Sequence, residues 1–195
     1  MNGLLFIRHA ETDMAGTFCG QSDPPVSAAG HLQIQSLVES LRTETITAIF
    51  TSDLQRSVTT ARALAESFAI PYIPRPALRE IDFGRWEGLT WEEIRKLDSI
   101  FAQQWLEFFP HLTPSDGESI ALFDARVMAE TSYLLNQSES DSIAVVTHAG
   151  VMRAVLRTLC GLNEETAWTL TKPYCCTFRY THHLRPDRRF QEVLE

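Results

Sequence analysis

Two histidines stand at the ends of two apolar runs. Leu4 to Thr12 reads LLFIRHAET, so an unbroken apolar segment stops abruptly at Arg8-His9, with an acid and a hydroxyl just beyond. Ile143 to Gly150 reads IAVVTHAG and stops in the same way at His148. A third segment, ITAIF over 46–50, leads into Thr51-Ser52-Asp53-Leu54-Gln55-Arg56. Imidazole serves as nucleophile or proton carrier near neutrality, and guanidinium grips oxyanions through a planar fork of donors. A single Arg-His pair is weak evidence, because most histidines at strand ends are surface or satisfied core residues. Two distant strands with the same ending are hard to explain by packing.

The elements that must position these groups follow from the same runs. Four or more apolar residues bounded by charge suit a central strand covered on both faces. Open α/β sheets bind ligands beyond the carboxyl ends of their strands, so Arg8, His9 and His148 are expected along one edge. Ser52 with Gln55 three residues on is a capping-box pattern that starts a helix at Asp53. Arg56 then lies in the opening turns of that helix, where the dipole also favours an anion. Arg8 and Arg56 would make a fork-like clamp for a tetrahedral oxyanion, with amides from His148-Ala149-Gly150 adding to the cradle. Two guanidiniums, two imidazoles and helix N-termini at one spot read as a phosphate site.

Strand candidates are 3–8, 46–51, 72–74 and 142–147, with a further pair near 175–181 and 189–194. Helical spacing appears in Ile34, Leu37, Val38 and Leu41, and again in Val58, Ala61, Ala65 and Phe68. Ile120, Phe123, Val127 and Leu134 mark a third helix, and Val151, Val155, Leu156 and Leu159 a fourth. This alternation predicts an α/β fold in three layers, α/β/α, around a mixed, mostly parallel sheet. The stretch 79–115 breaks the rhythm with Phe83, Trp86, Trp91, Trp105, Phe108 and Phe109. It reads as a partly helical, aromatic insertion that folds over the strand ends as a lid or pocket wall, against the plainer reading of an aromatic core flank.

At 195 residues, 44% hydrophobic and 22% charged, the chain has the size and balance of a single globular domain over 1–195. A net charge of −8 argues against nucleic acid or an anionic membrane as partner, while leaving room for local arginines to hold an anionic metabolite. No apolar run is long enough to span a bilayer and no leader is visible, which points to the cytoplasm. Cys19, Cys160, Cys175 and Cys176 lack CxxC spacing and read as free thiols, with Cys19 the one to watch beside the site.

Taken in order, four segments resemble the histidine phosphatase superfamily, the phosphoglycerate mutase-like fold. They are Arg8-His9-Ala10-Glu11-Thr12, the run from Thr51 through Arg56 to Ala61, the run from Leu78 through Glu80 to Gly88, and Thr147-His148-Ala149-Gly150. The resemblance implies that His9 is the nucleophile and forms a phosphohistidine. It implies that Arg8, Arg56 and His148 bind the phosphoryl oxygens, and that Glu80 is the general acid and then the base. Thr17 to Val26 and the Glu80–Gly88 run are most similar to the alpha-ribazole phosphatase branch. On that likeness Gly20, Gln21, Ser22, Ala149 and Trp86 are further substrate-binding candidates, and the substrate is a small phosphate ester such as alpha-ribazole 5'-phosphate. Two departures stand out, since the family usually has Gly at position 10 and commonly Asn at position 15, where this chain has Ala10 and Ala15.

The resemblance implies no cofactor and no metal. A broad-specificity phosphatase or a mutase-like enzyme is the nearest rival, and a silent phospho-ligand binding module a more distant one. His182-His183 lacks an acidic partner at ligand spacing, which argues against a metal hydrolase. No Gly-rich nucleotide loop is present. A homodimer is left open.

Overall fold

The computed structural model describes residues 3–108, 112–138, 142–181 and 190–192. Its centre is a six-stranded sheet in the order β3-β2-β4-β1-β5-β6. The strands are β1 (Gly3–Arg8), β2 (Ala48–Thr51), β3 (Tyr72–Pro74), β4 (Ser142–Thr147), β5 (Thr177–Tyr180) and β6 (Phe190–Glu192). β1 to β4 run parallel, and β5 and β6 add an antiparallel edge. The mixed, mostly parallel sheet anticipated from the unbroken apolar runs is therefore present. Residue 189 and residues 193–194 of the last expected strand, and His182-His183, lie outside the described residues.

Alternation along the central strands builds two cores. Leu4, Phe6, Ile143 and Val145 face one side and pack with α5 (Ile120–Gln137), α6 (Ala149–Cys160) and Ala167 of α7 (Glu164–Thr171). Leu5, Ile7, Ala144 and Val146 face the other and pack against α1 (Ala28–Ser40) and α2 (Gln55–Phe68). Each large apolar side chain enclosed in this way stabilises the fold by about 1.5–3 kcal/mol. Helices on both faces leave the carboxyl edge of the parallel strands as the open place for chemistry.

Register decides what reaches that edge. Arg8 pairs with Thr147 as the last rung between β1 and β4, so His9 and His148 leave the sheet side by side. The ladder runs one bond further, from the His9 amide to the Thr147 carbonyl at 2.9 Å. Ser52 follows β2 and donates its amide to Val146 at 2.9 Å, which sets its hydroxyl beside His148.

The aromatic stretch contains short 3₁₀ turns at Pro76–Leu78 and Gly84–Trp86, then α3 (Trp91–Leu97) and α4 (Ser99–Phe108). Thr90 and Glu93 close a full capping box on α3. Trp86, Ile94, Ala102 and Trp105 form a separate core beside the main two, joined by Phe18 and Phe83.

One local expectation is corrected. α2 begins at Gln55, not Asp53, and Ser52 does not cap it. Asp23, from a distant loop, accepts the Gln55 amide at 2.6 Å, while the Ser52 hydroxyl turns to His148. α7 carries no strong apolar period and was not anticipated. It is held by its Asn163 cap and by packing on α6.

Candidate active site

The first turns of α2 carry a polar face (Arg56, Ser57, Thr60) and the next turns an apolar one (Ala61, Leu64, Ala65), all buried. One helix thereby anchors in the core while presenting Arg56 to the strand ends. Arg56 is fully enclosed, at 0% exposure. Its Nε donates to His9 Nε2 at 3.3 Å. Nη1 donates to the Ser22 carbonyl at 2.6 Å, and Nη2 to those of Gly20 and Cys19 at 2.7 and 3.2 Å.

These contacts fix the tautomer of His9. A carbonyl only accepts, so His9 Nδ1, 2.7 Å from the Ala10 oxygen, carries the ring proton. A guanidinium only donates, so Nε2 presents its lone pair. Burial, reinforced by the Arg56 and Arg8 charges, holds the His9 pKa well below its ordinary value, and the Ala10 carbonyl opposes this only in part. The result is a neutral imidazole whose one lone pair faces the Arg56 Nε–H.

His148 lies 5.0 Å from His9 between ring centroids, in an edge-to-face arrangement. Its Nε2 is 2.8 Å from the Ser52 hydroxyl and 3.4 Å from that of Ser57. Ser52 Oγ accepts from the Leu54 amide and keeps its own proton to give to His148 Nε2; in that arrangement the ring proton of His148 sits on Nδ1. That Nδ1 is buried with no partner among the described residues. Burial, then the charges of Arg56 and neighbouring groups, keeps this ring neutral too.

Glu80 is 6% exposed. The Ile81 amide reaches Oε1 at 2.9 Å and the Gly150 amide reaches Oε2 at 2.8 Å. Its backbone carbonyl is gripped by Arg126 Nη2 and Gln21 Nε2 at 3.0 and 2.9 Å. Arg126 also binds the carbonyls of Ala77 and Arg79 and pairs bidentately with Glu118, locking the segment that carries the acid.

The structure thus brings His9, His148, Arg56 and Glu80 together. It corrects the picture of a free guanidinium clamp. Arg8 donates through Nη1 to the carbonyls of Thr171 and Lys172 at the end of α7, and its CZ lies 4.0 Å over the Tyr174 ring. Its Nε is buried and unpartnered among the described residues. The Gly150 amide belongs to Glu80 and does not add to an open cradle, although Ala149 does begin α6 at the site. Gly20, Gln21 and Ser22 meet Arg56 and Glu80 as backbone and amide partners. Trp86 is 2% exposed and enclosed by Phe18, Trp91, Phe101 and Trp105, so it backs the pocket wall without forming its surface.

Ala10 avoids the left-handed region that would demand glycine. It is buried, and its amide donates to Thr60 Oγ1 at 3.1 Å. Ala15 lies exposed in the turn after Thr12. Burial pushes the Cys19 thiol up, and its Sγ contacts the Ser22 carbonyl, so it has little thiolate character.

Two residues here escaped the sequence reading. Glu87 receives the amides of Gly20, Gln21, Ser22 and Phe83 on one carboxylate, all within 3.1 Å. Burial opposes its ionisation, yet these bonds hold its pKa below the usual value. Gly20 fits only as glycine, since a Cβ would lie 2.0 Å from the Ile81 carbonyl. Tyr174 packs against Arg8 and lies 5.8 Å from the His9 ring. The acid-rich run around Glu87 hinted at the first, and nothing local marked the second.

Among the described residues, no group of three or more His, Cys, Asp or Glu side chains is placed to hold a metal ion. No helix among them is long and apolar enough to cross a membrane. Residues 4–188 match the model of the histidine phosphatase superfamily (branch 1). The chain is 29% identical over 167 residues to the adenosylcobalamin/alpha-ribazole phosphatase of Escherichia coli K12, covering 85% of this chain and 82% of that protein. It is also 29% identical over 168 residues to phosphoserine phosphatase 1 of Hydrogenobacter thermophilus, covering 85% and 80%. The crystal structure of the alpha-ribazole phosphatase from Shigella flexneri superposes with a TM-score of 0.85 at 26% identity, over 97% of this chain and 94% of that one.

Proposed function

This chain belongs to the histidine phosphatase superfamily and is a phosphatase, and on that premise we propose that it hydrolyses a small phosphate monoester through a phosphohistidine on His9, without a metal. The observation that carries the reading is the His9 Nε2 lone pair, neutral and aimed along the Arg56 Nε–H.

In the first step Nε2 attacks phosphorus. The N–P bond forms as the ester P–O bond breaks, and the leaving oxygen takes a proton from Glu80. The Arg56 Nε–H shifts from the lone pair it covers to a phosphoryl oxygen. The buried, unpartnered Arg8 Nε and His148 Nδ1 supply two further donors to the same group. In the second step the Glu80 carboxylate takes a proton from water, whose oxygen attacks phosphorus and releases His9 with inorganic phosphate. These cationic and N–H groups fill the part that divalent ions play in other phosphoryl transfers. Activity is expected to withstand EDTA, and loss restored by a divalent ion would overturn the metal-independent route.

For the leaving group we favour alpha-ribazole 5'-phosphate. Two of the similar proteins named above carry that activity in their names, and the aromatic Phe83 and Trp105 line a cavity beside Gly150. The equal likeness to a phosphoserine phosphatase supports a second reading, a phosphatase of small organic phosphates. Measuring kcat/KM for alpha-ribazole phosphate, phosphoserine and 3-phosphoglycerate decides between them. Preference for the first, with little or no mutase activity, is expected. Equal or reversed preference removes the cobalamin assignment.

A further inference from the structure

One charged side chain near the site makes no hydrogen bond or ion pair among the described residues, although the charges of Glu80 and Glu164 act on it. Among the described residues, every other arginine that is not exposed donates to a carboxylate, a carbonyl or another fixed acceptor: Arg8, Arg56, Arg75, Arg79, Arg126, Arg157 and Arg179. Arg153 makes no such bond. Its CZ lies 4.4 Å from the Trp168 ring, and burial lowers its pKa. A partly desolvated guanidinium without an acceptor is costly to keep, and a cation–π contact of about 0.5–1 kcal/mol offsets little of that cost.

Arg153 opens onto a cavity whose position matters. Gly150, Arg153 and Arg157 line one side of it from successive turns of α6, and Ile81, Phe83, Trp105 and Phe123 line the other. Arg157 is already neutralised by Glu164 and Asp124, at 2.9 and 3.1 Å. Gly150 is the residue whose amide holds the Glu80 carboxylate, and a Cβ added to it would come within 2.0 Å of Glu80 Oε1. The cavity therefore begins against the backbone that carries the proton donor. It combines an apolar, aromatic wall with one cation that makes no hydrogen bond, and Glu164, which also lines it, is paired with Arg157.

We propose that this cavity receives the alcohol portion of the ester, and that Arg153 donates to a hydrogen-bond acceptor there. The preferred substrates are then phosphomonoesters whose alcohol carries a planar apolar group bearing a carbonyl, ring-nitrogen or carboxylate acceptor. The proposal rests on the phosphatase reading above and adds the specificity determinant. Arg153 acts on the leaving portion and not on the transferred phosphoryl group, so it changes discrimination between alcohols.

The test compares phenyl phosphate with 3-carbamoylphenyl and 3-carboxyphenyl phosphate. The wild-type enzyme should favour both acceptor-bearing esters over phenyl phosphate in kcat/KM, by about 10-fold or more. Arg153→Met should erase that ratio, whatever happens to the rate common to all three. Arg153→Lys, which keeps the charge but loses the planar fork, should restore part of the preference for the carboxylate and little for the amide. No preference in the wild type, or a preference that survives Arg153→Met, overturns the proposal. Calorimetric binding of the same esters to His9→Ala, with and without Arg153→Met, reads the subsite independently of turnover. Acceptor-dependent binding there supports the subsite even if the wild type hydrolyses none of the esters, a result that would count against the phosphatase reading alone. Absence of such binding overturns the subsite.

Discussion

The Nε–H of Arg56 points at Nε2 of His9 across 3.3 Å, while the other ring nitrogen of His9 gives its proton to Ala10 at 2.7 Å. Both ends of the imidazole are therefore assigned, and the fold itself sets the direction of the Nε2 lone pair. Orientation of this kind removes part of the entropy from the barrier. Rapid quenching of the reaction should trap phosphate on His9 as an acid-labile, base-stable adduct. His9→Ala should lose turnover almost completely, and Arg56→Ala should lower kcat by about 10²–10³-fold, the usual cost of losing a donor to developing charge. Label recovered on Cys19 instead would falsify the assignment of the nucleophile.

The same burial makes stability depend on pH. His9 and His148 both have folded pKa values depressed well below the unfolded 6.5. Below about pH 6.5 the unfolded chain binds protons at these positions while the folded chain does not. Their neutral burial therefore costs nothing above that pH, and stability falls as pH drops beneath it. The slope is about 1.4 kcal/mol per pH unit for each histidine until the folded pKa is reached. Urea titrations at pH 7.0, 6.0 and 5.5 should show this decline, and His148→Asn should roughly halve its slope. A flat midpoint across that window would mean that both rings take up protons in the folded protein as they do in the unfolded chain.

Glu80 and Gly150 make a pair in which the smaller residue governs the larger. The Gly150 amide binds Oε2 at 2.8 Å, and there is no space for a methyl on its Cα. Gly150→Ala should displace the carboxylate and reproduce the defect of Glu80→Gln. General acid catalysis matters most for poor leaving groups, so both variants should slow an alkyl phosphate by about 10²–10⁴-fold. An activated nitrophenyl phosphate should suffer much less. Equal slowing of the two esters by Glu80→Gln would remove Glu80 as the acid.

Glu87 reaches no reacting group, yet its carboxylate ties the amide of Phe83 to three amides of the loop whose carbonyls seat Arg56. Glu87→Ala leaves those donors without their acceptor and should destabilise the protein by about 2 kcal/mol or more. It should also lower kcat, because Arg56 loses its seat. Glu87→Gln retains one carbonyl oxygen and should fall between the variant and the wild type in both melting temperature and kcat. Normal turnover by a folded Glu87→Ala protein would show that Arg56 is held without the loop.

Local pattern determined a large share of this protein. Apolar runs that end in Arg8-His9 and Thr147-His148 fixed two central strands and the residues just beyond them, because a strand buried on both faces must be apolar until it leaves the sheet. Helical spacing in α1, α2, α5 and α6 fixed the two outer layers for the same reason. What sequence could not show is where a polar group finds its partner, since that depends on contacts between residues far apart in the chain. Ser52 and Gln55 carry the local signature of a cap, yet Asp23 caps α2 and Ser52 turns to His148. The place of Arg8 at the end of its strand was legible, but its commitment to the end of α7 and to Tyr174 arises across more than 160 residues. Trp86, so prominent in the sequence, is walled in by other aromatics, while Glu87 beside it organises the site. Burial obliges every polar group to find a partner, and only the tertiary structure decides which one.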